Sequence, residues 1–310
     1  MAAFLVRRLL MTIPVILGIF LVTFLMKALI PTDAVLAQYS GMVSEEKAAD
    51  AIAAMRAKYG LDDPWYIQFV TYIGDVAQGD LGESIRTRQP VADEIGYRYV
   101  NTMILTASSL VVALVIGISS GIASAYWQGT WIDDLSMSIG LAGISMPAFF
   151  FGLVLIFVFA VHLQWLPVIN RGGIQGLILP ALSLGLIEAA PLARITRASM
   201  VQVLSQDYVR AIRAKGNPEY VVILRHALPN ALLSILTILG LQIGGLLGGA
   251  FIIEVVFGWH GIGELAVKAI SWRDFQITQA IILVSAITYV LINLVVDLLY
   301  AWADPRVKLG

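Results

Sequence analysis

Six stretches of this chain stay apolar for more than twenty residues, and few folds are open to runs of that length. They lie at Leu9–Ile30, Asn101–Tyr126, Leu135–Val161, Gly176–Ala198, Ala231–Phe257 and Thr278–Ala301. A helix crosses a hydrocarbon core of roughly 30 Å in about 20 residues. Isolated strands would leave their backbone groups unpaired in lipid, so each run reads as a helix. Composition agrees: 59% of the 310 residues are hydrophobic and 13% charged, against roughly 45–50% and about 25% in a soluble domain. The expected fold is all-α, a polytopic membrane bundle of six transmembrane helices. The fourth run is the least regular, because Glu188 and Pro191 interrupt it. Arg7-Arg8 and Val35-Leu36-Ala37 resemble the edges of a secretory signal. The first run exceeds the roughly 7–15 residues of a signal core, however, and reads as an uncleaved anchor.

Lysine and arginine in the connections set the direction. With the N-terminus inside, ten of them (from Arg7 and Arg8 through Arg194–Arg225 to Arg306 and Lys308) fall on the inner side, and three (Arg171, Lys268, Arg273) on the outer. Both termini are therefore expected in the cytoplasm. Tryptophans 127, 131 and 302 fall at inner ends and 165, 259 and 272 at outer ends, where an apolar ring with a wet N–H is favoured.

Two segments lie outside the runs. Residues 31–98 form an extracytoplasmic insert: Ser44 caps a helix with Ala48, Ile52, Met55 and Tyr59 on one face, stopped by Gly60. Asp63-Pro64 then opens a second helix through Ile67, Val70, Ile73 and Val76, ended by Gly79. The insert reads either as a cap on the bundle or as a docking surface. Residues 198–230 carry a short basic helix, a turn at Gly216-Asn217-Pro218, and a second helix from Glu219 that ends at Pro229. A link between two spans needs no such elaboration. Its charge suits either anionic lipid or a protein partner.

A net charge of −1 gives no field for nucleic acid, and the absence of cysteine removes thiolate chemistry. The three histidines, His162, His226 and His260, sit at no ligand spacing. No G-x-x-x-x-G-K-[ST] occurs, so the chain binds no nucleotide by that loop. The candidate pathway residues are Glu188, Gln242, Gly245 and Gly249. Glu188 stands mid-run with Arg194 off its face, which leaves a water-filled cavity, an intersubunit contact or a lipid-facing position open. Gly240, Gly244 and Gly248 recur every four residues, as do Gly245 and Gly249; such small faces serve close packing or line a path. Asp297 and Asn293 share a face near the inner end of the last run in a structural role, and Lys27 reaches outward.

At residues 207–231 the sequence resembles the permease subunits of ATP-binding-cassette importers, whose cytoplasmic loop reads E-A-A-x3-G-x9-I-x-L-P. Gly216, Leu228-Pro229 and Ala211 match, whereas Arg210, Ile212 and His226 replace glutamate, alanine and isoleucine. Asp207 through Gly216 and Arg225-His226-Ala227-Leu228-Pro229-Asn230-Ala231 look like the dipeptide, oligopeptide, nickel and glutathione branch. So do Arg7-Arg8-Leu9-Leu10, Gly79-Asp80-Leu81-Gly82-Glu83-Ser84, Gln164-Trp165-Leu166-Pro167, Leu179-Pro180-Ala181-Leu182, Glu254-Val255-Val256-Phe257 and Asp304-Pro305-Arg306, in chain order. Val100 departs from it where the branch often has proline. The resemblance is to the first permease of such importers.

That resemblance implies a five-helix core of the MetI-like type over residues 99–303, preceded by a helix at 1–30 and the insert at 31–98, with a coupling loop at 198–230 and a tail at 304–310. It implies a non-catalytic subunit in a bacterial or archaeal inner membrane, forming half of a path for peptides or related solutes. The expected partners are a second, homologous permease, two ATPase subunits or a homodimer, an external substrate-binding protein and membrane lipid. ATP and Mg belong to the ATPases, and no cofactor to this chain. The coupling residues would be Asp207, Tyr208, Arg210, Ala211, Arg213, Ala214, Lys215, Gly216, His226, Leu228 and Pro229. The competing reading is an ion-coupled secondary transporter, for which a repeated half would be expected; none is visible.

Overall fold

The computed structural model describes residues 2–29, 63–84, 86–169 and 173–303. The first insert helix, Arg171, the possible cleavage site and the Asp304-Pro305-Arg306 end lie outside the described residues, as do the side chains of Arg7, Arg8, Lys27, Asp297 and Trp302. The described residues are helical apart from turns and one bridge between Glu83 and Pro90. In chain order the helices are α1 (Ala2–Leu29), α2 (Trp65–Ala77), α3 (Val91–Tyr126), α4 (Trp131–Ser145), α5 (Ala148–Leu155), α6 (Gly173–Leu204), α7 (Asp207–Ala214), α8 (Glu219–Val221), α9 (Leu228–Phe257), α10 (Ile262–Trp272) and α11 (Phe275–Ala303). Two π-helical turns, Ile156–His162 after α5 and Val222–Ala227 before α9, complete the list. Among the described residues three helices, α3, α6 and α11, are long and apolar enough to cross a membrane, three bent pairs are so if each is one span, and α1 is a shorter apolar helix over Leu10–Leu25. All six predicted runs fall on these elements, the first on α1.

Three expectations are corrected, each at a proline. The third run is not one helix. Pro147 holds Met146 in extended backbone (φ −95°, ψ 132°), as a residue before proline prefers, and the chain bends by 108° between α4 and the helix from Ala148 to His162. The fourth run, by contrast, is not interrupted: α6 continues for 32 residues through Pro180 and Pro191. It is the most enclosed of the long spans, and neighbouring helices stabilise a turn that has lost one backbone bond. The helix from Glu219 does not end at Pro229 either. The chain stays helical through a π turn over Val222–Ala227 into α9, and Pro229, at that junction, has no N–H for a backbone bond to the turn before it.

The chain divides into two compact units, one of residues 1–5, 98–265 and 289–310, the other of residues 6–97 and 266–288. In the first, α3 and α6 cross at backbone distance. A Cβ on Gly121 would meet the carbonyl of Ala193 at 2.6 Å, one on Gly117 that of Ala189 at 2.9 Å, and one on Gly185 the carbonyl of Ser109 at 2.6 Å. Glycine is required there because nothing larger fits between two backbones. Around this crossing one apolar core collects Leu105, Leu179, Leu184, Leu246 and Ile253, and another Leu192, Met200, Val209, Val222 and Ile235.

In the second unit, Phe20 and Phe24 of α1 meet Tyr72 and Phe69 of α2 edge-on, at 5.7 and 5.3 Å. The packed face of α2 is thus set by its aromatics, and Val70, placed on that face by the periodicity, is 68% exposed. Asp63 does not cap α2; the cap position is Pro64, and Asp63 offers only its carbonyl, to Gln68. Gly79 takes φ +82° just past the helix, as expected of a stop. Buried Asp274 accepts hydrogen bonds from the Ser84 hydroxyl (2.5 Å) and the Arg86 N–H (3.3 Å), and the Arg86 guanidinium lies over the Trp272 ring.

Candidate functional site

The segment 198–230 folds as a small amphipathic platform. On α7, Val209 is fully buried and Ile212 partly so, while Asp207, Arg210, Ala211 and Ala214 lie in solvent. The spacing is that of two faces of one helix. Asp207 stands in the first turn, where a negative charge is favoured. Its pairing with Arg210 at 3.5 Å joins side chains 98% and 73% exposed, so it adds little stability and leaves both charges available.

After α7, Lys215 is exposed and Gly216 adopts φ +80° with nothing within 4 Å of a notional Cβ. Conformation rather than space demands glycine there. Asn217 donates to the Ile212 carbonyl at 3.0 Å. Arg213 forks onto the Glu219 carboxylate, its shortest contact 2.5 Å, and this bond raises the guanidinium pKa above its usual value. The Tyr208 hydroxyl donates to the His226 carbonyl at 3.3 Å, and Asn230 donates to both the Tyr208 oxygen (3.1 Å) and that carbonyl (2.7 Å). α7 is therefore tied to the π turn and the first turn of α9. His226 takes part through its backbone, and Leu228 and Pro229 carry the chain on into α9.

The structure brings all eleven predicted loop residues into one platform. Sequence reasoning missed its anchors, Val209, Val222 and Asn230, and two exposed apolar side chains, Tyr220 (68%) and Leu224 (55%). The apolar spacing of Val209 and Ile212 against their charged neighbours was the signal that could have found the anchors.

A buried ion pair joins the end of α3, the start of α4 and the last third of α6. Asp133, 3% exposed, accepts two bonds of 2.6 Å from the Arg197 guanidinium, one from the Gly129 N–H at 3.0 Å and one from the Ser124 hydroxyl. At the opposite end of α9, buried Glu254 accepts from the Thr102 hydroxyl (2.5 Å) and from the N–H groups of Gly263 (2.7 Å) and Glu264 (3.1 Å) at the start of α10. Trp259, expected in an interfacial belt, is instead 6% exposed and donates to the Asn101 carbonyl at 2.9 Å. An indole that finds a carbonyl in the fold no longer needs water.

Between these ends, Glu188 sits at the midpoint of α6, and Gln242 and Gly245 at the middle of α9. The Gln242 amide N–H donates to the Glu188 carbonyl at 2.8 Å, and a Cβ on Gly245 would have only a Glu188 carboxylate oxygen near it, at 4.0 Å. These three predicted residues therefore meet. The surroundings of Gly249 lie outside the described side chains. An apolar cavity of about 450 Å³ on α3, α4, α5 and α6 is lined by Ile116, Gly140, Phe151 and Ala190; Glu188 does not reach it. Among the described residues no group of three His, Asp or Glu side chains is placed to hold a metal ion.

The glycines of α9 separate into two kinds. A Cβ on Gly240 would strike Val296, and one on Gly244 the Tyr289 ring, whereas Gly248 has nothing within 4 Å. The first two are packing positions against α11. Gly244→Leu is expected to destabilise the protein by about 1–3 kcal/mol through overpacking, and Gly248→Ala to leave it unchanged, read as melting temperature of the detergent-solubilised chain. Equal tolerance of the two would show that the α9–α11 contact is loose.

A family model described as "Binding-protein-dependent transport system inner membrane component" matches residues 113–309, and one for the N-terminal part of such components matches residues 1–107. The chain is 44% identical over 308 residues to the "Glutathione transport system permease protein GsiC" of Escherichia coli K12, covering 99% of each. It is 42% identical over 336 aligned positions to the "Dipeptide transport system permease protein DppB" of Alkalihalophilus pseudofirmus, covering 99% of this chain and all of the relative. Among solved structures, a chain of the MetNI methionine ABC transporter in inward-facing form superposes with a TM-score of 0.57 at 17% identity, over 68% of this chain and 96% of the other. A chain of an amino acid ABC transporter does so at 0.51 and 17%, over 66% and 92%. At these identities the shared feature is the helical permease fold.

Proposed function

Since the chain belongs to the family of binding-protein-dependent transport system inner membrane components, we propose that it is the first permease subunit of an ATP-binding-cassette importer for peptides or related solutes such as glutathione. It forms half of the path; a second permease forms the other half. Two ATPase subunits dock on the platform at 198–230, and a binding protein delivers solute from outside, with both termini cytoplasmic in a bacterial inner membrane. The chain itself catalyses nothing, and ATP and Mg are held by the ATPases. Glu188, Gln242, Gly245 and Gly249 line the path.

The observation that carries this reading is the platform's construction. Its outward face is free for a partner, its inward face is locked into the core by Val209 and Val222, and it runs through the π turn into α9. A push on α7 is thereby delivered to the helix that bears Gln242. The names of the relatives, a glutathione and a dipeptide permease, support the solute class. The test is uptake into proteoliposomes holding the full complex and its binding protein. Accumulation of alanylalanine or glutathione is expected to need ATP on the ATPase side. Accumulation driven by an ion gradient without ATP would overturn the proposal in favour of a secondary transporter.

A further inference from the structure

The contact between the middles of α6 and α9 is composed of acceptors. Among the described residues, neither carboxylate oxygen of Glu188 has a hydrogen-bond or ion-pair partner, and the Gln242 amide oxygen, in a residue 9% exposed, is buried without a donor. The Gln242 amide nitrogen, the one donor here, is already committed to the Glu188 carbonyl. Pro191, within the same turn of α6, has no N–H to offer the carbonyl of Ile187. Buried polar groups are ordinarily satisfied, and a carboxylate at mid-membrane depth without a partner is the kind of group that marks a solute path.

We propose that Glu188 and Gln242 form a mid-membrane station for a primary ammonium group carried by the passing solute, an inference that rests on the pathway reading above. The chemistry selects that class. An ammonium brings three donors and no acceptor, which complements a carboxylate and an amide oxygen. An anionic group would be repelled by Glu188. A divalent hard cation needs six or more oxygens, and two side chains supply too few. Gly245 matters because its missing side chain keeps the approach to the carboxylate clear: the only heavy atom a Cβ there would meet is the Glu188 oxygen itself. Free peptides and glutathione carry such an ammonium, so the station would act on the binding protein's cargo regardless of side chain.

The chain's lack of cysteine makes a direct test available. Gly245→Cys places a thiol beside Glu188 in the complete transporter, and its labelling is read by mass on this chain during ATP turnover with the binding protein. The reagents are aminoethyl methanethiosulfonate, which bears an ammonium, and sulfonatoethyl methanethiosulfonate, which is anionic. The ratio of their rates is compared with the ratio for a neutral small thiol, so that any change in thiolate content cancels. The cationic reagent is expected to be favoured by at least about tenfold, and Glu188→Gln to remove that preference. A ratio indifferent to Glu188→Gln overturns the ammonium station and leaves the pathway intact. A thiol that reacts with neither reagent overturns the pathway reading and the station with it. If Gly245→Cys does not assemble, Gln242→Cys carries the same comparison.

Discussion

Ala211→Glu is expected to abolish substrate-stimulated ATP hydrolysis by the complex while the chain still inserts and folds. The position lies on the outward face of α7, beside Asp207, Arg210 and Ala214, and its side chain is exposed. A surface substitution of that kind changes the stability of the chain by no more than about 0.5 kcal/mol. At the centre of an interface the same change costs about 2–4 kcal/mol, because a charge and four heavy atoms arrive where a methyl group was buried. Gly216→Pro is expected to give the same outcome by another route. The backbone there has φ +80°, which proline cannot reach, and the Gly216 N–H that donates to the Arg213 carbonyl is lost. The measurements are ATPase activity in proteoliposomes and co-purification of the ATPase subunits. Normal coupling in both variants would remove the platform from the mechanism.

The second large effect concerns stability. Asp133→Ala leaves the Arg197 guanidinium, whose side chain is 28% exposed, without its fork of two 2.6 Å bonds. It also strips an acceptor from Ser124 and from the Gly129 N–H. Removing one partner of a buried pair costs roughly 3–5 kcal/mol, with the lower end expected here because the arginine is partly wet. The thermal midpoint of the solubilised chain should fall by many degrees. The double variant Asp133→Leu with Arg197→Met should recover much of the loss, since replacing both charges by apolar groups is often neutral. No recovery would mean that the bonds to Ser124 and Gly129, rather than the ion pair, hold the three helices.

That the runs form long apolar helices was legible because length and apolarity are properties of a segment alone. The loop at 198–230 was legible for a similar reason: its basic charge and its Gly216-Asn217-Pro218 turn are local, whereas its anchoring apolar face was missed. What depended on a neighbour was not. Pro147 breaks its helix while Pro191 and Pro229 do not, and the difference lies in what surrounds each turn and where it falls within its helix, not in the proline. Gly117 and Gly121 stand four residues apart, a spacing known to admit a second backbone, yet only the crossing with α6 at Ala189 and Ala193 shows that they meet one. The α9 glycines could be seen to form faces but not to differ, because the distinction between Gly244 and Gly248 is made by Tyr289. Asp133 and Arg197 are 64 positions apart, and nothing local pairs them. Trp259 misled for the same reason: a carbonyl far along the chain had taken the place of water.

The enclosure of α6 also bears on how the chain is made. A carboxylate and two prolines would make this span a poor solute for lipid on its own, since an acidic residue at a helix centre costs roughly 2.5–3.5 kcal/mol on insertion scales. Its wall is built from α3, synthesised before it, and from α9, synthesised after it. Membrane integration of this protein is therefore expected not to be a succession of independent insertions. The fourth run is expected to settle in the bilayer only once the fifth has been made to cover it, and carbonate extraction of a chain arrested between the two would test this.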